Sequence, residues 1–241
     1  MRQRSTLFEE INAVLFDLDE TLIDAEAGLR EAHDRISETL STFFEQNGVQ
    51  MGVSLLHSKI KLFDDRMNRE SRYDRDEWWP ILISEVRSDL IISQGFAHAL
   101  TIEYWNAYSQ HSPPYSDAIT TLNHLRRRGY KLGLVTDTDG TPGLKAQRIN
   151  KLSFRDFFSV VIVAGEDTLE LKPNPTPFLK ASERLGITNQ SSVFVGDKPF
   201  TDIAGAKAAG MKTIHVRRRE WNSNVEADLT IESLTDLVGI L

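Results

Sequence analysis

Ile11-Asn12-Ala13-Val14-Leu15-Phe16-Asp17-Leu18-Asp19-Glu20-Thr21 is the stretch from which the rest of the chain can be read. Its first half is a short apolar run, rich in branched and aromatic residues, of the kind that suits a strand buried on both faces. Its second half sets two carboxylates two residues apart, just past the end of that strand. Runs of the same character recur at 130–135, 160–163 and 192–195, with further strands expected at 212–216 and 229–231. Helix-length stretches at 116–128, 141–152, 175–185 and 202–209 fill the intervals, several closed by a glycine (Gly129, Gly186, Gly210), and a last helix starts at Ser233. Strand and helix in alternation predict an α/β fold with a doubly wound parallel sheet.

Polar residues cluster where those strands end. Thr136 follows the second run, Lys172-Pro173 lies beyond the third, and Gly196-Asp197 with Thr201-Asp202 follows the fourth. Residues that finish different parallel strands meet at one edge of the sheet, so two acid pairs, a hydroxyl and a lysine converge although they are far apart in sequence.

One interruption breaks the pattern. Between about Asp24 and Gln110 helical periodicity takes over, as in Leu29, His33, Ile36, Leu40, Phe43 and Phe44, or Leu82, Val86 and Leu90. The expectation is a helical cap at 24–111 inserted into a core made of 1–23 and 112–241. Ser112-Pro113-Pro114-Tyr115 serves as the return linker, because consecutive prolines stop a helix.

Bulk properties narrow the classes. The 241 residues, 40% hydrophobic and 26% charged, are enough for one domain with an insertion. The absence of cysteine excludes a disulfide framework, a thiol nucleophile and a thiolate zinc site. No apolar run approaches the roughly 18 residues that span a bilayer. The polar start Met1-Arg2-Gln3-Arg4-Ser5 carries no signal-peptide core, so no membrane partner and a cytoplasmic location are expected. A net charge of −7 argues against nucleic acid as a partner. Arg126-Arg127-Arg128 reads as a solvated helix end and Arg217-Arg218-Arg219 as a charged loop. The six histidines are scattered, and neither Gly-x-Ser-x-Gly nor a glycine-rich dinucleotide fingerprint is present.

Taken together, Asp-x-Asp-x-Thr at Asp17 to Thr21, the strand-ending Thr136, Lys172-Pro173-Asn174-Pro175 with Phe178, and Gly196-Asp197 with Asp202, Gly205, Ala206, Ala209 and Gly210 occur in an order that resembles the haloacid dehalogenase-like hydrolase superfamily. The likeness is to its phosphatase branch, which has a Rossmann-like core and a helical cap inserted after the first motif. It implies a phosphomonoester hydrolase acting on a small phosphorylated metabolite such as phosphoglycolate, a triose phosphate or a sugar phosphate. Asp17 would be the nucleophile forming an aspartyl-phosphate. Asp19 would protonate the leaving oxygen and then take a proton from water. Thr136 and Lys172 would bind the phosphoryl oxygens.

Mg²⁺ is the expected cofactor, because the candidate ligands are hard oxygens. The resemblance assigns it carboxylates of Asp17 and Asp197 and the backbone carbonyl of Asp19. Asp202 either holds a metal-bound water, orients Lys172 or caps a helix. Alternatives from the same superfamily stay open: a 2-haloacid dehalogenase, for which Asp19 has no use, and a phosphosugar mutase. So does a non-enzymatic Mg²⁺-binding phospho-carrier, and the chain could be a monomer or a homodimer.

Two departures from the family pattern stand out. Asp137 occupies a position where relatives often carry asparagine, adding a carboxylate beside an anion site. Glu20 stands where glycine is frequent and reads as a solvent-facing loop residue. In the cap, Arg72, Tyr73, Arg75, Trp78 and Trp79 form an aromatic and basic cluster. Trp79-Pro80 reads as packing at a helix start, since proline suits the first helical position.

Overall fold

The computed structural model describes residues 6–70 and 72–241, so the Met1–Ser5 start lies outside the described residues. Among them, six strands form one parallel sheet: β1 (Ala13–Phe16), β2 (Lys131–Asp137), β3 (Val160–Ala164), β4 (Ser192–Gly196), β5 (Lys212–Val216) and β6 (Leu229–Ile231). Their order is β3-β2-β1-β4-β5-β6. The chain builds outward from β1 to β3, then crosses to the other side of β1 and builds outward again. This reversal puts the topological switch point at the carboxyl ends of β1, β2 and β4, where open α/β sheets form their ligand crevice.

The chain divides into two compact units. One comprises 6–24, Pro114–Thr138 and Lys145–Leu241; the other comprises Ala25–Pro113 with Asp139–Leu144.

The helical unit contains α1 (Ala25–Gln46), α2 (Val53–Arg69), α3 (Arg75–Val86) and α4 (Gln94–Gln110). Helix α1 buries Ala25, Gly28, Ala32, Ile36, Leu40 and Phe44 along one stripe at the three-and-four spacing of an amphipathic helix. Helices α3 and α4 are capped at their N-termini by Asp74 and Ser93 side chains, which accept from the backbone N–H groups of Asp76 and Phe96. Pro80 therefore sits inside α3 and not at its first position: the Asp74 cap starts the helix five residues upstream of the proline. Trp78 and Trp79 are packing residues, each 1% exposed. Leu90 falls beyond the end of α3.

A charged group lies at the centre of this unit. Buried Arg75 stacks over the rings of Trp78, Tyr104 and Trp105 at 4.1–4.3 Å. Its Nη2 lies 3.7 Å from Asp64 Oδ2, which also accepts from the Tyr104 hydroxyl at 2.5 Å and pairs with His33 Nε2 at 2.9 Å. Burial pushes the Asp64 pKa up, but Arg75 and the hydrogen bonds from His33 and Tyr104 outweigh it and leave Asp64 below the usual carboxylate value.

Residues 139–144 join this unit because Gly140, at φ 90°, lies against the backbone of Tyr73 and Asp74 so closely that a Cβ would collide with it.

The sheet unit adds α5 (Ala118–Arg127), α6 (Leu144–Asn150), α7 (Thr176–Leu185), α8 (Ala204–Ala208) and α9 (Leu237–Ile240). One face of the sheet packs Ala13, Leu15, Val135, Ile162 and Phe194 against Phe178, Ala181 and Leu185 of α7 and Ala206 of α8. Phe178 meets Phe194 edge-on, with ring centroids 4.8 Å apart. No described helix is long and apolar enough to cross a membrane.

Candidate active site

Register brings the distant motifs together. Phe16 pairs with Leu134 on one side and Val195 on the other, so Asp17, Thr136 and Asp197 all stand within two residues beyond one paired row. The Asp17 N–H donates to the Val195 carbonyl at 3.0 Å, tying the end of β1 to the end of β4. Thr136 lies at the same edge and is 1% exposed. Between Asp17 and Ile23 the chain folds back tightly: the N–H groups of Thr21, Leu22 and Ile23 all point to the Leu18 carbonyl.

Lys172 is the hub. Its ammonium lies 2.6 Å from Asp17 Oδ1 and 2.8 Å from Asp202 Oδ1, with Asp137 Oδ2 at 3.9 Å. Burial works against the Lys172 charge, yet Asp17, Asp202 and Asp137 together raise its pKa well above the ordinary lysine value, so it is a fixed cation.

Asp202 belongs to a turn of π-helix at Pro199–Ile203 that precedes α8. It orients Lys172 through one oxygen and accepts the Lys198 N–H at 3.1 Å through the other. Gly196 allows this approach, because a Cβ there would come within 2.5 Å of the Asp202 side chain. Asp137 faces Lys172: its Oδ1 accepts the lysine's backbone N–H at 3.0 Å. The extra carboxylate thus buttresses the lysine.

One carboxylate oxygen from each of Asp17, Asp197 and Asp202 lies within 4.8 Å of the others. Asp197 is fully buried, and neither of its oxygens has a hydrogen-bond partner among the described residues. An unpaired buried carboxylate is costly. Burial drives the Asp197 pKa well above the usual carboxylate range; the Lys198 charge opposes this, and Asp202 and Asp17 add to the rise. Burial likewise lifts Asp17 from 3.8 to about 7, against Lys172 and with help from Asp202 and Asp19. Three crowded carboxylates, one of them orphaned, form the donor set that a hard divalent cation requires, and the residues present fit such an ion.

The family model for the haloacid dehalogenase-like hydrolase matches residues 14–216, which span both strand clusters and the helical insertion. The chain belongs to that family. It is 30% identical over 239 residues to the glyceraldehyde 3-phosphate phosphatase of Methanopyrus kandleri, covering 96% of this chain and 97% of the relative. It is 31% identical over 242 residues to the phosphoglycolate phosphatase of Escherichia coli, covering 97% and 94%. Among solved structures, a HAD phosphatase from Thermococcus onnurineus superposes with a TM-score of 0.67 at 28% identity, covering 95% of this chain and 97% of that one.

Family motifs do not single out every charged group at the site. The Asp19 carboxylate is held by two cations of α6, with Lys145 Nζ 2.6 Å from Oδ2 and Arg148 Nη2 3.1 Å from Oδ1. Leu144, Lys145, Arg148 and Ile149 are all buried, so the helical spacing that marks Leu144 and Ile149 as inward also marks the two cations. Half-buried Lys198 is a further cation here: burial lowers its pKa, but Asp197, Asp17 and Asp202 raise it overall.

Glu20 differs from the sequence expectation. It is 8% exposed, accepts from the Tyr115 hydroxyl at 3.0 Å and has φ 63°. That left-handed backbone explains why glycine suits this position, and the tight turn around Leu18 carries the side chain inward.

Proposed function

We propose that the chain is a Mg²⁺-dependent phosphomonoester hydrolase acting on a small phosphorylated metabolite, with two- and three-carbon substrates such as phosphoglycolate and glyceraldehyde 3-phosphate first in line. The observation that carries the reading is the Lys172 ammonium, locked between Asp17 and Asp202 beside the orphaned Asp197 carboxylate. A buried nucleophilic carboxylate, a fixed cation and a divalent-ion cluster at one sheet edge are what attack on an anionic phosphate ester needs. The names of the relatives, both phosphatases of small phosphorylated metabolites, support the same substrate class.

Asp17 attacks phosphorus. As its Oδ–P bond forms, the ester P–O bond breaks and its electron pair goes to the leaving oxygen, which takes a proton from Asp19. Water then attacks the aspartyl-phosphate, gives a proton to the Asp19 carboxylate and releases inorganic phosphate and the free Asp17 carboxylate. Lys172 and Thr136 bind the phosphoryl oxygens, and the lysine's fixed charge gains value as the transition state spreads negative charge. Asp17, Asp197 and Asp202, with the Asp19 carbonyl, would hold the Mg²⁺, which would supply charge screening between the carboxylates and the phosphate.

Asp19, gripped by two cations, has a task in proton transfer to an alkoxide and none in halide displacement, which favours the phosphatase over the dehalogenase. The test is release of inorganic phosphate from a panel of phosphorylated metabolites with Mg²⁺. Turnover should vanish in Asp17→Asn and fall strongly in Asp19→Asn. Stable labelling of Asp17 without turnover would instead identify a phospho-carrier.

A further inference from the structure

We propose that Lys145 and Arg148 are positioning residues that aim the Asp19 carboxylate at the leaving-group oxygen. The inference rests on the phosphatase reading and extends it to residues that lie outside the motifs.

The two aspartates of the first motif are held by different cations from different parts of the chain. Asp17 is gripped by Lys172, and Asp19 by Lys145 and Arg148, one cation on each carboxylate oxygen. The side chains of Lys145 and Arg148 are 4% and 7% exposed, whereas that of Asp19 is 23% exposed. The carboxylate therefore has a solvent-accessible side, and its grip comes from buried atoms.

Burying two cations costs several kcal/mol each before pairing, and apolar side chains of similar volume would pack as well or better. Packing alone gives no reason for them. Orientation does. The backbone around Asp19 is already pinned, with Glu20 N–H donating to the Ile23 carbonyl and three N–H groups converging on Leu18. The freedom left to Asp19 is side-chain rotation, and a cation on each oxygen removes it. Proton transfer to the leaving oxygen needs hydrogen-bond reach at a defined angle, and a misplacement of about 1 Å costs on the order of 10²-fold. Helix α6 follows directly on the strand that carries Thr136, so the phosphate-binding strand end and the clamp on the acid are parts of one β–α unit.

The experiment compares two leaving groups. Para-nitrophenyl phosphate departs as a stabilised anion and gains little from an acid, whereas 2-phosphoglycolate and glyceraldehyde 3-phosphate leave as alkoxides and depend on one. In Lys145→Met and Arg148→Met, kcat for the better alkyl substrate should fall roughly 10- to 100-fold, while kcat for para-nitrophenyl phosphate falls less than about 3-fold. Arg148→Lys should recover most of the alkyl rate. In an Asp19→Asn background, Lys145→Met should leave the alkyl-to-aryl ratio unchanged.

The ratio is taken within one preparation, so a variant with a reduced folded fraction still reports. If Lys145→Met yields no soluble protein, the Arg148→Met and Arg148→Lys pair decides. Equal losses on both substrates, or no loss on the alkyl substrate, overturn the clamp and leave the phosphatase reading intact. A wild-type enzyme that hydrolyses neither class overturns both.

Discussion

Lys172 Nζ and Asp17 Oδ1 lie 2.6 Å apart, and both groups are buried, so this charge-assisted contact is shielded from solvent and salt. Lys172→Met should lower kcat/KM by about 10²- to 10³-fold, the range for removing one preorganised donor to a developing oxyanion. Mg²⁺ binding, measured by titration calorimetry, should persist, because the carboxylate cluster proposed to hold the ion remains. Loss of metal binding together with activity would assign the lysine to the metal site.

The orphaned Asp197 carboxylate makes a prediction about stability. In the presence of a chelator, Asp197→Asn should be at least as stable as the wild type, because it replaces a buried carboxyl group that has no hydrogen-bond partner among the described residues. Added Mg²⁺ should raise the wild-type melting temperature and leave the variant's nearly unmoved. At an ion concentration of 100 times Kd the gain is about 2.7 kcal/mol by mass action. Equal thermal shifts in the two proteins would remove Asp197 from the metal site.

A pH dependence follows from Asp17, which burial raises from 3.8 to about 7 in the metal-free protein. The folded state then binds more protons than the unfolded state between about pH 4 and 7. Stability contributed by this group is fully present below the unfolded pKa and is lost as pH rises through the folded one. Denaturant unfolding with a chelator, compared with Asp17→Asn at each pH, should show the wild type losing ground from pH 4.5 to 7 and holding level above. An advantage that grows with pH would contradict the raised value.

Asp64 carries the opposite sign, because Arg75, His33 and Tyr104 hold its pKa below the usual value despite burial. Its stabilisation is present above the ordinary carboxylate pKa and is lost as pH falls through the lower folded value. At neutral pH, Asp64→Asn should destabilise the helical unit by about 3–5 kcal/mol, because it strands the buried Arg75 charge. Hydrogen exchange should show faster opening of α2, α3 and α4, with the sheet protected as before. Unchanged protection in those helices would show that Arg75 is satisfied by its aromatic neighbours and Asp139 without Asp64.

Much of this site is legible in the linear chain because strand ends announce themselves. An apolar run that stops at Asp17, Thr136 or Asp197 tells the reader which edge of the sheet those residues share, and the parallel register then brings them together. Lys172, eight residues past the end of β3, is found by its neighbours Pro173 and Asn174 and by its place between the second and fourth motifs. Pro80 misleads because local propensity favours proline at a helix start, while the Asp74 cap determines where α3 begins.

Sequence alone determined the alternation of strand and helix, the all-helical insertion and the identity of the motif residues, because those depend on hydrophobic period and local chain chemistry. Tertiary structure decided which charge answers which. Asp137 turned to Lys172, Glu20 folded inward onto Tyr115, Asp19 came between Lys145 and Arg148, and the Asp197 carboxylate stayed without a hydrogen-bond partner among the described residues. The reason is that a charge's partner is set by distance and burial in three dimensions, and residues 35 to 129 positions apart have no local signal that they will meet.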